Sequence, residues 1–431
     1  MVRHHIILFF ILFLIYLING TLSEPSPANI TCPSPLINDP NPSLFKSTCS
    51  EGCCLRCPFV NNFYPENKID NIYYILSFIR IASFFAVLII VLSYIVLPNK
   101  REHPAVTVLC FNSSLLIFLG ITFFYTGDHK RIQCANDITQ ANISNNFLCG
   151  IQGIILIFTT FTLILYCFLL ILHLHFQTVW HSNIIQRCYI IFQMFVLSIS
   201  SFLTLLPAIT KQISFEFGAV CLVSYQKAEW YFWTPLAVFV ISGFIIHIWT
   251  FIHIAKSQCM FFEHGFDEST FSTADTTTSI TKKEVLNAIK IQWRALMLAL
   301  ILLFTFIIYW VYKFISIREL SPLTSIEEIP AWIDQWKSCL INASALPINA
   351  QNRCSSISMP HVPSISLIVV AEFLTSILGI SIFIIFGSSI NFWNEWRFWF
   401  QNNRIGHLFE KPSQSQSHQT SQNSESHSSW V

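Results

Sequence analysis

Charged side chains are scarce in this chain. Of 431 residues, only 11% are Asp, Glu, Lys or Arg, whereas a soluble domain has about one quarter. Hydrophobic residues make up 53% and aromatic residues 15%. The net charge of +1 provides no basic field for nucleic acid, so no nucleic-acid partner is expected. The composition predicts a chain that lies mostly in lipid, with the bilayer as its main partner.

Motifs for catalysis are also missing from the sequence. It contains no nucleophile elbow, no phosphate-binding loop and no zinc-protease helix motif. Histidines gather in two places, at His173, His175 and His181 and at His247 and His253. Zinc requires three converging ligands, usually with acidic support, and neither group has a carboxylate nearby in the sequence. We interpret these histidines as anchors at the membrane interface, and we expect neither a cofactor nor enzyme activity.

Seven apolar runs are long enough to cross a bilayer, which takes about 20 residues in a helix. A helix satisfies its own backbone hydrogen bonds, so each run can lie in the hydrocarbon. The runs are 72–97, 105–125, 150–174, 184–209, 230–254, 293–317 and 364–386. The predicted fold is an all-α membrane protein, a bundle of seven transmembrane helices over 72–386.

The N-terminal residues 1–23 have the pattern of a secretory signal peptide. Arg3 precedes an apolar stretch at 6–18, and small or polar residues follow it. This stretch is too short for a spanning helix. Cleavage at its end would place the next segment, the stem at 24–71, outside the cytosol. Three glycosylation sequons then share the outer side with the stem. They begin at Asn29, Asn142 and Asn342.

Most of the 14 cysteines fall in the same outer segments. The ten outer cysteines are Cys32, Cys49, Cys53, Cys54, Cys57, Cys134, Cys149, Cys221, Cys339 and Cys354. An even number in an oxidising compartment predicts that disulfides hold the stem and the outer loops. The other four are Cys110, Cys167, Cys188 and Cys259. They lie within or beside spans, and we interpret them as small hydrophobic side chains.

Two ionisable residues stand deep in apolar runs. Arg80 lies in the first run and Glu372 in the seventh, each about eight residues or about 12 Å below the outer face at 1.5 Å per residue. A lone charge in lipid costs several kcal/mol, so a partner or a wet cavity is expected for each. We predict an ion pair between Arg80 and Glu372. The alternative is that Arg80 extends outward to water and Glu372 is protonated.

Several short motifs together resemble the Frizzled and Smoothened receptors, over about 32–399. They are Cys32-Pro33 with Cys53-x-x-x-Cys57-Pro58 in the stem, Arg101-Glu102-His103-Pro104 and Cys110-Phe111 around the second span, and Gly387-Ser388-Ser389-x-x-x-Trp393 after the seventh. The first is similar to the linker that precedes the membrane domain in that family. The last is similar to the Gly-Lys-Thr-x-x-x-Trp motif through which Frizzled receptors engage Dishevelled. The resemblance implies a cell-surface receptor with an extracellular ligand and a cytoplasmic transducer, of which a G protein is one candidate.

The chain also departs from that family. Fewer than 50 residues separate the predicted cleavage point from the first span, so the resemblance is to variants without the cysteine-rich ligand-binding domain. Ser388 stands where the motif has lysine, which removes a charge from a Dishevelled-type contact. The implied transducer-contact residues are Lys100, Arg101, Arg294, Ser388, Ser389 and Trp393. Arg294 could form a cation–π contact with Trp393.

The resemblance also implies how the outer cysteines pair. The implied pairs are Cys149 with Cys221, Cys339 with Cys354, Cys57 with Cys134, and Cys32 with Cys53, which leaves Cys49 with Cys54. Spacing alone fixes no connectivity. These bonds would form a rigid extracellular lid that shapes a ligand entrance, or would only stabilise the loops.

The C-terminal region divides into a helix and a tail. Residues 387–411 predict an amphipathic cytoplasmic helix, in which Trp393, Trp396 and Trp399 are three residues apart. Such a helix would anchor the chain in the interface or dock an effector. Residues 412–431 are too polar to bury a core, which predicts disorder. The last three residues fit strand addition to a PDZ domain, although three residues also match by chance.

The sequence therefore predicts a plasma-membrane signalling receptor. A solute transporter or channel is the second class, which would require more polar residues along a central path, or repeated halves. Arg80 and Glu372 are the chief polar residues at that depth, and no internal repeat is found. A zinc-dependent membrane hydrolase is the third class, and it would depend on the histidines.

Overall fold

The fold was analysed in a computed structural model. It describes residues 32, 36–38, 49–50, 53–97, 105–215, 218, 220–264, 296–316, 318–320, 330–343, 350–388 and 390–402. Several sequence predictions lie outside these residues. They concern the signal peptide 1–23, Asn29, Lys100, Arg101, Arg294, Ser389 and the tail 412–431.

Within the described residues, seven helices are long and apolar enough to cross a membrane. These spans are Lys68–Val96, Ala105–Phe124, Phe147–Val179, Tyr189–Ile209, Tyr225–Ile254, Leu296–Leu320 and Ile365–Gly387. The second ends in a 3-10 turn, Ile121–Phe124, and the fifth begins around a π turn, Glu229–Trp233. The predicted class of an all-α, seven-helix membrane protein is confirmed.

The ends of the spans differ from the hydropathy ranges. The third span was expected over 150–174, but it begins at Phe147 because the Asn146 side chain accepts hydrogen bonds from the next turn and caps the helix. The fourth begins at Tyr189 rather than 184, because a separate turn, Ile184–Arg187, precedes it. Hydropathy detects the apolar interior of a helix, whereas capping and turns set its ends.

The chain divides into two compact units, Met1–Ser388 and Ser389–Val431. In the first unit the first span packs on the second and seventh, and the third span packs on the second, fourth and fifth. Of the most apolar stretch of each span, the third span has the largest buried share, 67%, and the fourth span the smallest, 17%. The third span is therefore the centre of the bundle, and the fourth lies at its edge.

Short elements cover the end of the bundle that carries the stem, which we call the stem side; the opposite end is the far side. The stem forms an antiparallel sheet in the order β1-β3-β2. Its strands are β1 (Leu36–Asn38), β2 (Cys49–Ser50) and β3 (Cys53–Leu55). A hairpin, β4 (Ile213–Ser214) with β5 (Leu222–Val223), links the fourth and fifth spans. The other stem-side elements are Phe59–Phe63, Lys130–Gln133, Ala331–Ala343, Ala350–Ser358 and Met359–His361.

The first and seventh spans approach each other closely at Gly379. A Cβ atom there would lie 2.6 Å from the Ser83 backbone oxygen and 2.7 Å from Leu119 Cδ1. Nearby, the Ser83 hydroxyl donates to the Ser376 backbone oxygen. Small residues let membrane helices approach in this way, where packing replaces the hydrophobic effect as the driving force.

We expect Gly379→Ala to destabilise the bundle by about 1–3 kcal/mol, because the new methyl group must push a backbone apart. Gly120→Ala is the matched control, since its Cβ would lie 3.5 Å from Phe84 Cε2, an ordinary contact. The control should be neutral or slightly stabilising. Thermal unfolding of both variants in lipid nanodiscs measures the difference. Equal stability of the two variants would contradict the close approach at Gly379.

Candidate functional site

The structure brings Arg80 and Glu372 together inside the bundle. Arg80 Nη2 donates to Glu372 Oε2 at 3.2 Å and to Thr375 Oγ1 at 3.1 Å. Arg80 Nη1 donates to the Tyr125 hydroxyl at 2.6 Å. The two charged side chains are 9% and 4% exposed. The first and seventh spans therefore meet Tyr125, the residue that follows the second span, at one buried polar cluster on the stem side.

A third charged residue, Lys313, lies beside this cluster and was not predicted from the sequence. Lys313 lies on the sixth span, is 3% exposed, and has its Nζ 5.4 Å from the centroid of the Tyr312 ring. A Cβ atom at Gly218 would lie 3.8 Å from Lys313 Nζ and 3.5 Å from Glu372 Oε1. Lys313 and Glu372 therefore border the same space. The sequence does show one lysine within the sixth apolar run, but the mean hydropathy of the run hides a single charge.

Tyrosines from two spans, the first and the sixth, lie near the Glu372 carboxylate. Tyr73, Tyr309 and Tyr312 each interact with it electrostatically, and Tyr73 and Tyr312 are buried. Glu372 Oε1 has no hydrogen-bond partner among the described residues. The site thus combines two cations, a carboxylate and phenol groups in a buried space. Such a site can hold charge inside the membrane, and its rearrangement would move the spans that carry it.

The hairpin between the fourth and fifth spans covers the cluster. Gly218, in the connection between β4 and β5, has φ +114°, a conformation that favours glycine. Its backbone oxygen accepts from Gln133 Nε2 at 3.2 Å. The Cys221 N–H donates to Gln152 Oε1 at 2.9 Å. These contacts hold the hairpin against the segment that follows the second span and against the third span.

Five disulfides hold the stem-side elements. The structure forms Cys32–Cys53, Cys49–Cys54, Cys57–Cys134, Cys149–Cys221 and Cys339–Cys354. These are the pairs that the family resemblance implies. Two of them join separate segments, since Cys57–Cys134 ties the stem to the connection after the second span and Cys149–Cys221 ties the third span to the hairpin. The stem is therefore covalently attached to the bundle.

The stem also binds the segment between the sixth and seventh spans. The Tyr64 hydroxyl donates to the Pro363 oxygen at 2.7 Å, and Gln351 Nε2 donates to the Tyr64 oxygen at 2.9 Å. The Phe63 ring packs on Trp336, with centroids 4.9 Å apart. Burial raises the pKa of Tyr64, and the Glu319 charge raises it further. The Tyr64 hydroxyl therefore stays neutral and donates its hydrogen bond to Pro363.

Two of the predicted glycosylation residues are described, and both lie on the stem side. Asn142 is half-buried, and its side-chain oxygen accepts from the Ser144 and Asn145 N–H groups at 2.8 and 3.0 Å. Asn342 is exposed near the end of the helix Ala331–Ala343.

One of the histidines near the far side, His175, makes a hydrogen bond within the bundle. The Thr250 hydroxyl donates to the Ile246 oxygen at 2.8 Å. His175 Nδ1 forms a hydrogen bond of 2.8 Å with the same Thr250 oxygen. His247 is buried. In the part of the chain that the structure describes, no three His, Cys, Asp or Glu side chains converge on one point.

The transducer-contact residues that are described fall in two units. Ser388 ends the seventh span, where its N–H donates to the Ile384 oxygen at 3.3 Å. Trp393 lies on the helix Ile390–Asn402, which begins three residues after the predicted 387 because the seventh span continues to Gly387. In that helix Trp393 is 51% exposed. The Trp396 ring stacks on Phe400 at 5.4 Å.

Comparison with known proteins identifies distant relatives among G protein-coupled receptors. The chain is 25% identical over 373 residues to the G protein-coupled receptor gprM of Aspergillus fumigatus, covering 81% of this chain and 71% of that protein. It is 28% identical over 150 residues to the Frizzled and smoothened-like protein Q of Dictyostelium discoideum, covering 33% of this chain and 25% of that protein. No family model matches the chain. With the seven spans, these similarities indicate a multi-pass membrane protein of receptor type.

Proposed function

We propose that this protein is a plasma-membrane receptor of Frizzled and Smoothened type without the cysteine-rich ligand-binding domain, and that it activates a G protein. The observation that carries the proposal is the similarity to a fungal G protein-coupled receptor across 81% of the chain. The seven membrane-length spans support it independently.

The stem side faces the outside in this proposal. Its five disulfides require an oxidising compartment. Asn142 and Asn342 lie on that side as well, together with the predicted cleavage site before the stem. The far side would then face the cytoplasm, where Lys100, Arg101 and the other implied transducer-contact residues belong.

The mechanism we propose is a shift between two helix arrangements. An extracellular ligand bound at the lid would favour one arrangement, since a ligand shifts an equilibrium only by its different affinity for the two states. The buried cluster at Arg80 and Glu372 connects the first and seventh spans beneath that lid. Rearrangement there would move the far-side ends of the spans, where the transducer binds.

Agonist-independent nucleotide exchange tests the proposal. Membranes that carry the intact chain are expected to accelerate exchange on an added G protein. A deletion of 281–294, in the segment before the sixth span, should abolish this activity because it removes the proposed coupling surface. A deletion of equal length in the tail, 413–426, is the matched control and should retain it. Exchange at the level of receptor-free membranes would contradict constitutive coupling, and solute flux into proteoliposomes would then test the transporter class.

A further inference from the structure

A histidine on the stem side lies between two aromatic rings. His129 follows the second span and precedes the short helix Lys130–Gln133. Its ring stacks on Tyr73 of the first span, with centroids 6.3 Å apart and planes at 30°. The centroid of the Tyr125 ring is 5.4 Å away. His129 Nε2 is buried and has no hydrogen-bond partner among the described residues.

Charged groups lie near His129 on the first span and in its own loop. Asp70 lies in the first turn of the first span, and Asp128 and Lys130 are its chain neighbours. Both carboxylates already accept hydrogen bonds, Asp70 from Asn61 Nδ2 at 3.2 Å and Asp128 from the Lys130 N–H at 3.0 Å. Burial lowers the pKa of His129, although Asp70 and Asp128 oppose this shift. The imidazole is therefore neutral at neutral pH.

Protonation would make this position unfavourable for the ring. An imidazolium carries a proton on both nitrogens, so Nε2–H would become a buried donor without an acceptor. Burial also disfavours the charged form. A protonated His129 is therefore more stable in water than between Tyr73 and Tyr125.

The same aromatic contact leads to the buried ion pair. The Tyr125 hydroxyl accepts from Arg80 Nη1 at 2.6 Å, and Arg80 Nη2 donates to Glu372. His129 packs on the ring whose hydroxyl holds Arg80. If His129 leaves, the Tyr125 ring loses this contact.

We propose that His129 is a proton-binding site on the stem side, and that its protonation releases the ring from Tyr73 and Tyr125 and loosens the hold of Tyr125 on Arg80. We call the arrangement with His129 between the two rings closed, and the arrangement after its release open. Acid on that side thereby favours the open arrangement of the first, second and seventh spans. The proposal concerns the equilibrium of the bundle itself and does not depend on G-protein coupling.

The direction of the pH effect follows from linkage. An exposed histidine has a pKa of about 6.5, and the pKa of His129 in the closed arrangement lies below its ordinary value. Between these two values the open or unfolded protein binds a proton that the closed protein does not. The closed arrangement therefore loses stability as the pH falls through about 6.5, and the loss is complete below the closed-state pKa.

Thermal unfolding of the full chain in lipid nanodiscs tests the site, measured between about pH 7.5 and about pH 5 to bracket the histidine pKa. His129→Gln, which cannot titrate, should lose less stability on acidification than the unmodified protein, by roughly 2 °C in the unfolding midpoint. His361→Gln is the control, because His361 is an exposed stem-side histidine stacked on Trp332; it should behave like the unmodified protein. An acid-induced loss that is the same in His129→Gln and the unmodified protein would overturn the proposal.

Two further variants test the electrostatics and the coupling. Asp128→Asn removes a carboxylate that favours the imidazolium, so the pH midpoint of the stability loss should move to lower pH. Glu372→Gln breaks the ion pair and favours the open arrangement, so by reciprocity the midpoint should move to higher pH. If Glu372→Gln does not fold, Thr375→Val takes its place in this test. It removes only the hydrogen bond from Arg80 to the Thr375 hydroxyl. An unmoved midpoint with Asp128→Asn overturns the site, and an unmoved midpoint with the ion-pair variants overturns the coupling.

Discussion

Arg80→Ala is expected to lower the free energy of unfolding by about 3–5 kcal/mol, because it leaves a buried charge without its partner. Glu372 Oε2 would lose the guanidinium that lies 3.2 Å away. Oε1 already has no hydrogen-bond partner among the described residues. In the membrane interior, water cannot replace the lost contact. Chemical or thermal unfolding in nanodiscs gives the magnitude.

Controls separate the ion pair from general effects of removing arginine. Arg353→Ala, at an exposed position on the stem side, should change stability by no more than about 0.5 kcal/mol. Replacing Arg80 and Glu372 together by methionine should recover much of the loss, because two buried charges are then replaced by apolar side chains of similar size. If Glu372→Gln folds normally while Arg80→Ala does not fold, the pair is not what stabilises the bundle.

Replacing Cys149 and Cys221 together by serine should cost about 4 kcal/mol. The bond closes a 72-residue segment, and a longer closed loop restricts the unfolded chain more. Both cysteines are fully buried, so two hydroxyl groups would also take the place of sulfur in an apolar site. The expected structural result is a hairpin that no longer holds Gly218 over Glu372 and Lys313. Unfolding in nanodiscs under non-reducing conditions measures the loss.

A second disulfide provides the comparison for this effect. The Cys339–Cys354 bond closes only 15 residues, so its removal should cost about 3 kcal/mol. Cys188→Ser changes an exposed free cysteine and should be nearly neutral. A larger loss from the 15-residue bond than from the 72-residue bond would show that local packing, and not loop closure, dominates at these sites.

Some of the site follows from the sequence because of the geometry of membrane helices. Arg80 and Glu372 lie 292 residues apart, yet both are about eight residues from the stem-side end of an apolar run. Equal depth and the cost of an isolated charge in lipid predict their contact. Lys313 could not be placed in the same way, because its partners depend on how the sixth span is rotated and on the path of the hairpin at Gly218.

His129 illustrates the same limit outside the membrane. The sequence gives one histidine in a short polar connection, with no periodicity that relates it to Tyr73 or Tyr125. The contact exists because the turn after the second span folds back onto the first. Gly379 is similar, since only the crossing of two helices puts the Ser83 oxygen 2.6 Å from the place of a Cβ atom.

The sequence by itself determined the seven spans and the all-α membrane fold, and it grouped ten cysteines on one side. These are properties of local hydropathy and of the length that a helix needs to cross a bilayer. Only the tertiary structure decided which polar groups share the buried cluster and which two rings flank His129. These contacts depend on the rotation of each helix about its axis and on the packing of the loops, which hydropathy does not specify.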